Sequence, residues 1–314
     1  MSWVESMSKD SVLVTGVGGL IGAAVASRFA QRGCAVVGMD RSQPLGFKLP
    51  FVSHDLPDPH RWYQVIREHR VNKIVHAGGV SGPMLLNDSP NRIVQINLDG
   101  LTGLLEAARI EGIERIIGFS SVVAYGDHPD LSEITEKSWL NPSSIYGATK
   151  AAGDALVNAY FLSHGVDMVT FRVAGGYGPG RITPCLIRLL IEDALAGCRS
   201  LVCEDPHRTR QYIFVDDVVD AVIQAMDQPK LPQRTYNIGP GVIHTARDVI
   251  SALQACLPNA QAEIDPAGMR WNSFGVGLLN IEAARRDFGF EPATDLVEGV
   301  RKTMEWVLQR QAPR

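Results

Sequence analysis

The sequence predicts an α/β fold, in which a doubly wound parallel sheet is followed by a smaller C-terminal part. Short apolar runs rich in β-branched residues alternate with amphipathic helical segments through the first half of the chain. These runs are continuous rather than alternating with polar residues, which is typical of parallel strands covered by helices on both faces. The chain has 314 residues, a length that corresponds to about two domains.

The predicted elements form successive strand–helix units. The predicted strands are at 12–15, 35–37, 73–77, 115–119 and 168–171, and the main helices are at 20–30, 91–109 and 146–162. Beyond residue 172 the pattern loosens into turns rich in Gly and Pro. There, Thr245 with Asp248 predicts a capping box, and Gly289 followed by Pro292 predicts a helix end.

The two domains are expected to interleave along the chain. We expect a nucleotide-binding domain at 1–174 that is completed by 212–229. A substrate-binding cap is expected at 175–211 and 230–314.

The composition excludes several classes of function. The 30 Lys and Arg and 34 Asp and Glu give a net charge of −4, which lacks the positive excess of a nucleic-acid-binding protein. No run approaches the ~18 apolar residues of a membrane span, and residues 1–10 do not resemble a signal peptide. The five cysteines have no metal-like spacing. We therefore expect a cytoplasmic protein with free thiols, no metal site, and no nucleic-acid or membrane partner.

A glycine-rich turn follows the first predicted strand. Gly16, Gly19 and Gly22 are three residues apart between that strand and the first helix. Gly16 would allow a tight turn, Gly19 would let the backbone approach a pyrophosphate, and Gly22 would let the helix pack on the sheet. The amides of Leu20 and Ile21 would then point at the anion. The pattern predicts a Rossmann-type dinucleotide site, the alternative being an ordinary glycine-rich turn.

Acidic residues after the second and third strands indicate which nucleotide is bound. Asp40 ends the second strand, 18 residues after Gly22. A carboxylate there accepts from the adenosine ribose hydroxyls and repels a 2′-phosphate, which favours NAD over NADP. Arg41 beside it weakens this preference, because an arginine can pair with that phosphate. Asp55 and Leu56 are candidates for contact with the adenine ring.

Tyr146 and Lys150 lie four residues apart at the start of a predicted helix, on one face. A free phenol has a pKa near ~10, too high for a base at neutral pH. A neighbouring ammonium favours the phenolate by charge attraction, so the pair could act as a general base. The same lysine could donate to the ribose of a nicotinamide nucleotide. Taken alone, however, this spacing is also common between solvated side chains.

Ser120 and Ser121 follow the strand at 115–119, at the edge where open α/β sheets bind ligands. A serine hydroxyl there could hydrogen-bond the substrate oxygen whose proton Tyr146 removes. The alternative is that these serines merely cap the end of the strand. Together with the glycine turn and the Tyr–Lys pair, they favour an oxidoreductase site.

These features together resemble the extended short-chain dehydrogenases/reductases, and among them the NAD-dependent epimerase/dehydratase family. The resemblance runs from residue 12 to about residue 220, with a weaker match at 280–292. The motifs that carry it are Gly16-x-x-Gly19-x-x-Gly22, Ser121-Val-Val-Ala-Tyr125-Gly126, Tyr146-x-x-x-Lys150, Arg172-Val-Ala-Gly-Gly-Tyr177-Gly178-Pro179 and Arg210-Gln-Tyr-Ile-Phe-Val-Asp216-Asp217.

The resemblance implies NAD as cofactor, a carbohydrate substrate and roles for individual residues. Tyr146 would be the base, Lys150 its modulator and cofactor anchor, and Ser121 the donor to the substrate oxygen. The spacing to Tyr125 favours Ser121 in that role, and Ser120 is then expected to contact the cofactor. The segment His76-Ala77-Gly78-Gly79 would line the cofactor, and Asn97 would support the sheet edge near it.

The resemblance also implies a homodimer formed through the helices around 91–109 and 146–162. Small residues would let the second helix approach its counterpart closely. They are Ala148, Ala151, Ala152, Ala155 and Ala159. Packing of these alanines on their own sheet is the alternative.

Two positions depart from the family pattern. Sugar dehydratases of the family carry an acidic pair just after the residue matching Ser121, whereas this chain has Val122, Val123 and Ala124. No carboxylate is available there to eliminate water, which argues against dehydratase chemistry. Nucleotide-sugar enzymes of the family also carry an asparagine where this chain has Gly175, which puts a nucleotide-linked substrate in doubt.

Three functions remain on these residues. The first is an NAD-dependent epimerase acting on a carbinol carbon of a (nucleotide-)sugar, and it is favoured. The second is a net NAD-dependent dehydrogenase of a small non-nucleotide sugar, lactone or hydroxy acid, and the third is a non-catalytic nucleotide-binding protein. The candidate substrate contacts are Val80, Ser81, Ser121, Tyr146, Gly175, Arg181 and Arg210. Whether His207 or Cys185 serves as an additional acid or base stays open.

Overall fold

The structure of the protein is a computed structural model that describes residues 10–128, 132–203, 207–265, 275 and 277–311. Its strands are β1 (Ser11–Thr15), β2 (Ala35–Asp40), β3 (Phe51–Ser53), β4 (Lys73–His76), β5 (Arg115–Ser121), β6 (Met168–Val173), β7 (Gly175–Tyr177), β8 (Ser200–Cys203), β9 (Tyr212–Phe214), β10 (Thr235–Ile238) and β11 (Ala262–Asp265). Its helices are α1 (Leu20–Gln31), α2 (Pro59–Glu68), α3 (Pro90–Val94), α4 (Gly100–Glu111), α5 (Ile145–His164), α6 (Leu186–Leu195), α7 (Val215–Asp227), α8 (Ala246–Cys256), α9 (Glu282–Phe288) and α10 (Leu296–Gln311).

Seven parallel strands form the central sheet, in the order β3-β2-β1-β4-β5-β6-β10. The direction of winding reverses at β1, which pairs with β2 on one side and with β4 on the other. In such sheets the crevice beyond the carboxyl ends of the strands at the reversal point is the usual ligand site. The predicted α/β doubly wound class is confirmed.

Apolar residues cover both faces of the sheet. Within β1, Val12 and Val14 belong to one buried cluster, with residues of α1 and α7, whereas Leu13 belongs to another, with residues of α2, α4 and α5. This alternation follows from the two-residue period of a strand. Both faces are therefore sealed, and the open edge at the strand ends is where polar groups can meet a ligand.

The later part of the chain contributes two small parallel sheets, β7 with β9 and β8 with β11. Helices α6, α8 and α10 pack against one another. The predicted capping box is present at the start of α8, where the Thr245 and Asp248 side chains satisfy each other's backbone amides. Gly289 ends α9 in the left-handed conformation, at the position expected.

Two predicted segments differ from the structure. The helix expected at 91–109 is observed as α3 and α4 joined by a wide π-helical turn at Gln95–Asp99. The range assigned to the cap from residue 230 contains β10, but β10 pairs with β6 as the last strand of the central sheet. That strand is thus part of the sheet and not of the cap, because its Thr-Tyr-Asn-Ile sequence buries its side chains against α9 and the sheet interior.

Among the residues that the structure describes, no helix combines the length and the apolar character needed to cross a membrane.

Candidate active site

The turn between β1 and α1 has no room for larger residues. Gly16 has a φ of +70°, and a Cβ there would lie 2.6 Å from the carbonyl oxygen of Ala77. A Cβ at Gly22 would overlap the carbonyl oxygen of Gly16. The two glycines therefore hold the turn, the helix and the end of β4 in close contact, as the pattern predicts.

The N-terminus of α1 is open toward the crevice. Gly19 is the N-cap residue, and no side chain caps the helix. The first amides of a helix have no intrahelical partner, so those of Leu20 and Ile21 are donors for an anion. A dinucleotide pyrophosphate fits this donor set, and the glycine cradle lets it approach the backbone.

Asp40 lies beside this turn at the end of β2. Its Oδ2 accepts from the amide of Gly18 at 2.9 Å, and its Oδ1 accepts from the amide of Arg41 at 2.7 Å. A carboxylate oxygen can accept more than one hydrogen bond, so the group keeps capacity for ribose hydroxyls. The Arg41 side chain is exposed, and the loop that follows approaches Gly18 through Pro44.

The residues predicted to contact adenine occupy different surroundings. Asp55 forms an ion pair with Arg92, and both side chains are partly exposed. Leu56 packs in van der Waals range of Gly78 and Gly100. The leucine is thus part of the wall of the crevice, whereas the carboxylate of Asp55 is already paired at its rim.

The end of β4 is fixed by side chains from neighbouring elements. The Thr15 hydroxyl accepts from the amide of Gly78 at 2.8 Å and lies 3.0 Å from Nδ1 of His76. Burial, with the charge of Lys150 adding to it, lowers the pKa of His76 to about 3, so this ring is neutral at physiological pH. The family resemblance implies that His76 lies along the cofactor, whereas no pattern in the sequence gave Thr15 a role at the site.

The wide turn at Gln95–Asp99 places Asn97 against the same strand end. Its Oδ1 accepts from the amide of Val80 at 2.8 Å, and its Nδ2 donates to Thr149 Oγ1 at 3.0 Å. Gly79 adopts a φ of +141° and lies next to the Asn97 side-chain amide. Asn97 therefore joins the β4 loop to α5, one residue before Lys150.

Ser121 and Tyr146 are brought together at the carboxyl end of β5. Burial raises the pKa of Tyr146, while a hydrogen bond with the Ser121 hydroxyl and the charge of Arg181 oppose that increase. The Ser121 oxygen also accepts from the amide of Val123 at 3.2 Å. Ser121 is thus the serine that acts on the pKa of Tyr146, and its role at the substrate oxygen stays a prediction.

Lys150 lies one turn further along α5. Its Nζ is 5.8 Å from the centroid of the Tyr146 ring and donates to the carbonyl oxygen of Phe119 at 2.8 Å. Burial lowers the pKa of Lys150 to about 8, against the attraction of Asp154. The ammonium keeps two further N–H donors for a ligand in the crevice.

The Ser120 hydroxyl is directed at Asp154 and not at Tyr146. It is buried and donates to Asp154 Oδ2 at 3.0 Å. The alternative in which Ser120 replaces Ser121 beside Tyr146 therefore does not fit the geometry. Successive residues of a strand face opposite sides, which separates the two serines.

Among the predicted substrate residues outside the Ser121–Tyr146 group, Arg181 is the one whose charge acts on Tyr146. Gly176 packs on Leu20, and the Arg181 side chain donates to the carbonyl oxygens of Gly176 and Thr183. Arg181 thus folds back on its own loop while its charge reaches Tyr146. Ser81 is exposed, and Val80 is buried.

Gly175 lies beside the Tyr212 ring, and Arg210 pairs with His244 through its backbone. A Cβ at Gly175 would lie 3.0 Å from the Gln211 carbonyl oxygen and 3.6 Å from the Tyr212 ring. Arg210 exchanges two backbone hydrogen bonds with His244, each of 2.7 Å. At the position of the expected asparagine, an aromatic ring and backbone therefore occupy the nearest space.

A buried polar network behind the site was not foreseen in the sequence. The Arg172 guanidinium donates to Asp154 at 2.8 Å and to the Tyr125 hydroxyl at 2.9 Å. Tyr125 in turn donates to Asn237 at 2.6 Å. The only sequence sign of this network is the occurrence of Tyr125 and Arg172 in motifs that were otherwise attributed to the cofactor and substrate.

Comparisons with known proteins agree with this arrangement. A sequence model of the NAD dependent epimerase/dehydratase family matches residues 12–239. The chain is 30% identical over 308 residues to a UDP-glucose 4-epimerase of Mycolicibacterium smegmatis, covering 94% of this chain and 97% of that protein. It is 28% identical over 345 residues to a dTDP-glucose 4,6-dehydratase of Neisseria gonorrhoeae, covering 99% of each.

A solved structure shows the same fold. The crystal structure of Thermus thermophilus UDP-glucose 4-epimerase in complex with NAD matches with a TM-score of 0.85 and 28% identity, covering 96% of this chain and 100% of that one. These matches confirm the resemblance of the chain to the NAD-dependent epimerases and dehydratases. The chain belongs to the NAD dependent epimerase/dehydratase family and is an NAD-dependent enzyme.

Proposed function

We propose that the protein is an NAD-dependent epimerase of a nucleotide-linked sugar. The observation that carries the proposal is the group formed by Ser121, Tyr146 and Lys150 at the crevice, with no carboxylate in the turn that follows Ser121. In this proposal the enzyme oxidises one carbinol carbon and then reduces it from the other face, so NAD is regenerated within one turnover.

The chain's own residues move and hold the proton. Ser121 donates to the substrate oxygen and orients it toward Tyr146, which accepts the hydroxyl proton as general base. Bound NAD would supply the hydride acceptor and a positive ring near the phenol. Ser121 and Arg181 favour the phenolate and oppose in part the burial that raises the pKa of Tyr146. The Lys150 ammonium, 5.8 Å from the ring centroid, would attract the phenolate as well.

Lys150 would anchor the cofactor with the donors that Phe119 leaves free. The amides of Leu20 and Ile21 would hold the pyrophosphate, and Asp40 the adenosine ribose. These contacts would hold the nicotinamide near the carboxyl ends of β4 and β5, close to Tyr146 and Ser121.

The turn after Ser121 supports epimerisation over dehydration. Val122–Ala124 forms a single helical turn in which Val123 and Ala124 are buried. Elimination of water needs an acid and a base at the neighbouring sugar carbon, and this turn supplies neither. The similarity to a dTDP-glucose 4,6-dehydratase therefore supports the fold and cofactor more than the reaction.

Gly175 favours a second candidate, a net dehydrogenase of a small sugar, lactone or hydroxy acid. With Tyr212 beside it, this position offers no side-chain amide to a nucleotide diphosphate. Arg181 and Arg210 are the residues we propose for the anionic part of either substrate. Val80 and Ser81 would line the sugar side of the crevice.

We also propose a cytoplasmic homodimer assembled through α4 and α5. On α5 Ala148, Ala155 and Ala159 are exposed, and Leu162 is 73% exposed. Exposure of these residues favours contact with a second copy over packing on their own sheet. The five free thiols fit a reducing compartment. Light scattering in solution would test the dimer, and a monomer at micromolar concentration would contradict it.

The reaction can be tested with a substrate panel. Purified enzyme should be incubated with UDP-, GDP- and dTDP-sugars and with free sugars and acids, while NADH absorbance and product stereochemistry are recorded. We expect a stereoisomer of a nucleotide sugar without net NADH, and retention of NAD through gel filtration. NADH accumulation with free sugars or acids only would overturn this proposal and favour the dehydrogenase.

A further inference from the structure

A buried carboxylate lies beside the active site without a role in the proposed reaction. Asp154 follows Lys150 by one turn on α5 and is 5% exposed. It accepts from Ser120 Oγ at 3.0 Å, Thr170 Oγ1 at 2.8 Å and Arg172 Nε at 2.8 Å. These donors belong to β5 and β6, so Asp154 ties α5 to the middle of the sheet.

Asp154 and Lys150 line the same small pocket, of about 30 Å³. His76, Asn97 and Ser120 also line it. Residues four apart on a helix are neighbours, and no ion pair within 4 Å is formed between these two. Charges act strongly across a small buried space, because the surroundings screen them less than water does.

Few titratable or charged groups lie near Lys150 in the described part of the chain. On α5 they are the phenol of Tyr146 and the carboxylate of Asp154. On β4 it is His76, which burial keeps neutral by lowering its pKa to about 3. On β6, Arg172 is paired with Asp154. Asp154 is thus the carboxylate that opposes the burial of the Lys150 ammonium, and a positively charged nicotinamide ring would increase the need for it.

Ser120 connects the same carboxylate to the catalytic strand. It is adjacent to Ser121, and it donates its hydroxyl hydrogen to Asp154 in the structure. If the Asp154 side chain moved away, the end of β5 would lose its hydrogen bond through Ser120. Lys150 would lose the neighbouring negative charge as well.

We propose that Asp154 is a positioning residue of the active site, which fixes Ser121 through Ser120 and supplies the negative charge that holds Lys150 as an ammonium. The proposal rests on the proposed role of Ser121, Tyr146 and Lys150. It does not depend on which sugar is the substrate.

The charge can be measured without turnover. The chain has seven lysines, so the ¹³Cε resonances can be titrated by NMR, with Lys150 assigned from a Lys150→Arg variant, in the free and the NAD-loaded protein. In Asp154→Asn we expect the Lys150 midpoint to fall by about one pH unit or more, as loss of a close opposite charge predicts. An unchanged midpoint would overturn the proposal.

A matched control separates charge from stability. Asp167 is a carboxylate paired with Arg115 and Arg234, so Asp167→Asn should reduce the stability while leaving the Lys150 midpoint unchanged. If Asp154→Asn does not fold, the double variant Asp154→Asn/Arg172→Gln removes both charges and leaves none unpaired. The midpoint should fall in that variant too, and one that stays at the wild-type value contradicts the proposal.

The positioning role has a separate readout. Ser120→Ala keeps the charge, so the Lys150 midpoint should stay unchanged while kcat falls about tenfold, with no shift of the pH profile. Asp154→Asn should instead displace the pH profile of kcat. Wild-type kcat in Ser120→Ala would overturn the positioning role. Because the titration needs no substrate, failure of the substrate panel and failure of this inference remain distinguishable.

Discussion

The amide of Gly18 donates to Oδ2 of Asp40 at 2.9 Å, and this bond holds the carboxylate at the mouth of the glycine turn. The backbone of the turn and the end of β2 thus set the position of the one side chain that would meet the adenosine ribose. The geometry of the turn and the choice of cofactor are therefore coupled.

Replacement of Asp40 by Ala should weaken NAD binding by about 10- to 100-fold, since charge-assisted hydrogen bonds contribute about 1.5–3 kcal/mol. NADP should be affected less, because the repulsion of its 2′-phosphate is removed. Calorimetric titration with both nucleotides would measure the ratio. Asp58→Ala, which removes an exposed cap of α2, is the control. An unchanged NAD/NADP ratio in Asp40→Ala would refute the assigned role.

Tyr146→Phe should retain NAD binding and lower kcat by about 10²- to 10⁴-fold, the usual contribution of general acid–base catalysis. The phenyl ring keeps the packing and loses only the proton-accepting oxygen. Steady-state kinetics on the substrate found by the panel would test this. Tyr160→Phe, on the same helix with its ring against His164, should keep wild-type turnover. A Tyr146→Phe enzyme of near wild-type rate would contradict the assignment.

Gly22→Ala should lower both the free energy of unfolding and the affinity for NAD. Its Cβ would overlap the Gly16 carbonyl, so α1 must move away from the turn. The matched control is Gly103→Ala in α4, where the new Cβ would lie no closer than 3.4 Å to its neighbours. In that control we expect stability to stay equal or rise by about 0.5–1 kcal/mol, as for alanine over glycine in a helix. Equal urea midpoints for the two variants would be inconsistent with the close packing of the turn.

His76 should make the protein less stable in mild acid. Its folded pKa is lowered from 6.5 to about 3, chiefly by burial. Below pH 6.5 the imidazole therefore binds a proton in the unfolded chain but not in the folded protein. The free energy of unfolding then falls by up to about 1.4 kcal/mol per pH unit toward pH 3. Urea unfolding between pH 7 and pH 4.5 would show a smaller slope in His76→Gln, whereas the exposed His60→Gln should match the wild type. Parallel curves for His76→Gln and wild type would contradict this origin.

Local patterns predicted those parts of the site that short segments determine. The glycines at 16, 19 and 22, the capping box at Thr245 and the Tyr146–Lys150 spacing each depend on neighbours in the chain, and the structure places all of them at the expected elements. The spacing to Tyr125 favours Ser121 over Ser120 as the partner of Tyr146, and this assignment stays a prediction.

Contacts between distant segments were beyond such reasoning. In the sequence pattern, Asp154 is an ordinary polar residue of a helix. Thr170 and Arg172 reach it only because β6 packs beside α5 in the folded protein. The extra residue of the wide turn at Gln95–Asp99 has no sequence pattern of its own, yet it directs Asn97 to Val80. Likewise, β10 belongs to the sheet because it pairs with β6. The two strands are far apart in the sequence, with all of α7 between them.

The late position of β10 in the chain has a consequence for synthesis on the ribosome. The segments at 175–211 and α7 emerge before Thr235–Ile238, so β6 is made long before the strand that covers its outer edge. During that interval the apolar edge formed by Phe171 and Val173 exposes unpaired backbone groups, which are a template for pairing with other chains. A nascent protein stalled between β7 and β10 is therefore the form most prone to aggregate, and a chaperone would have its greatest effect at that length.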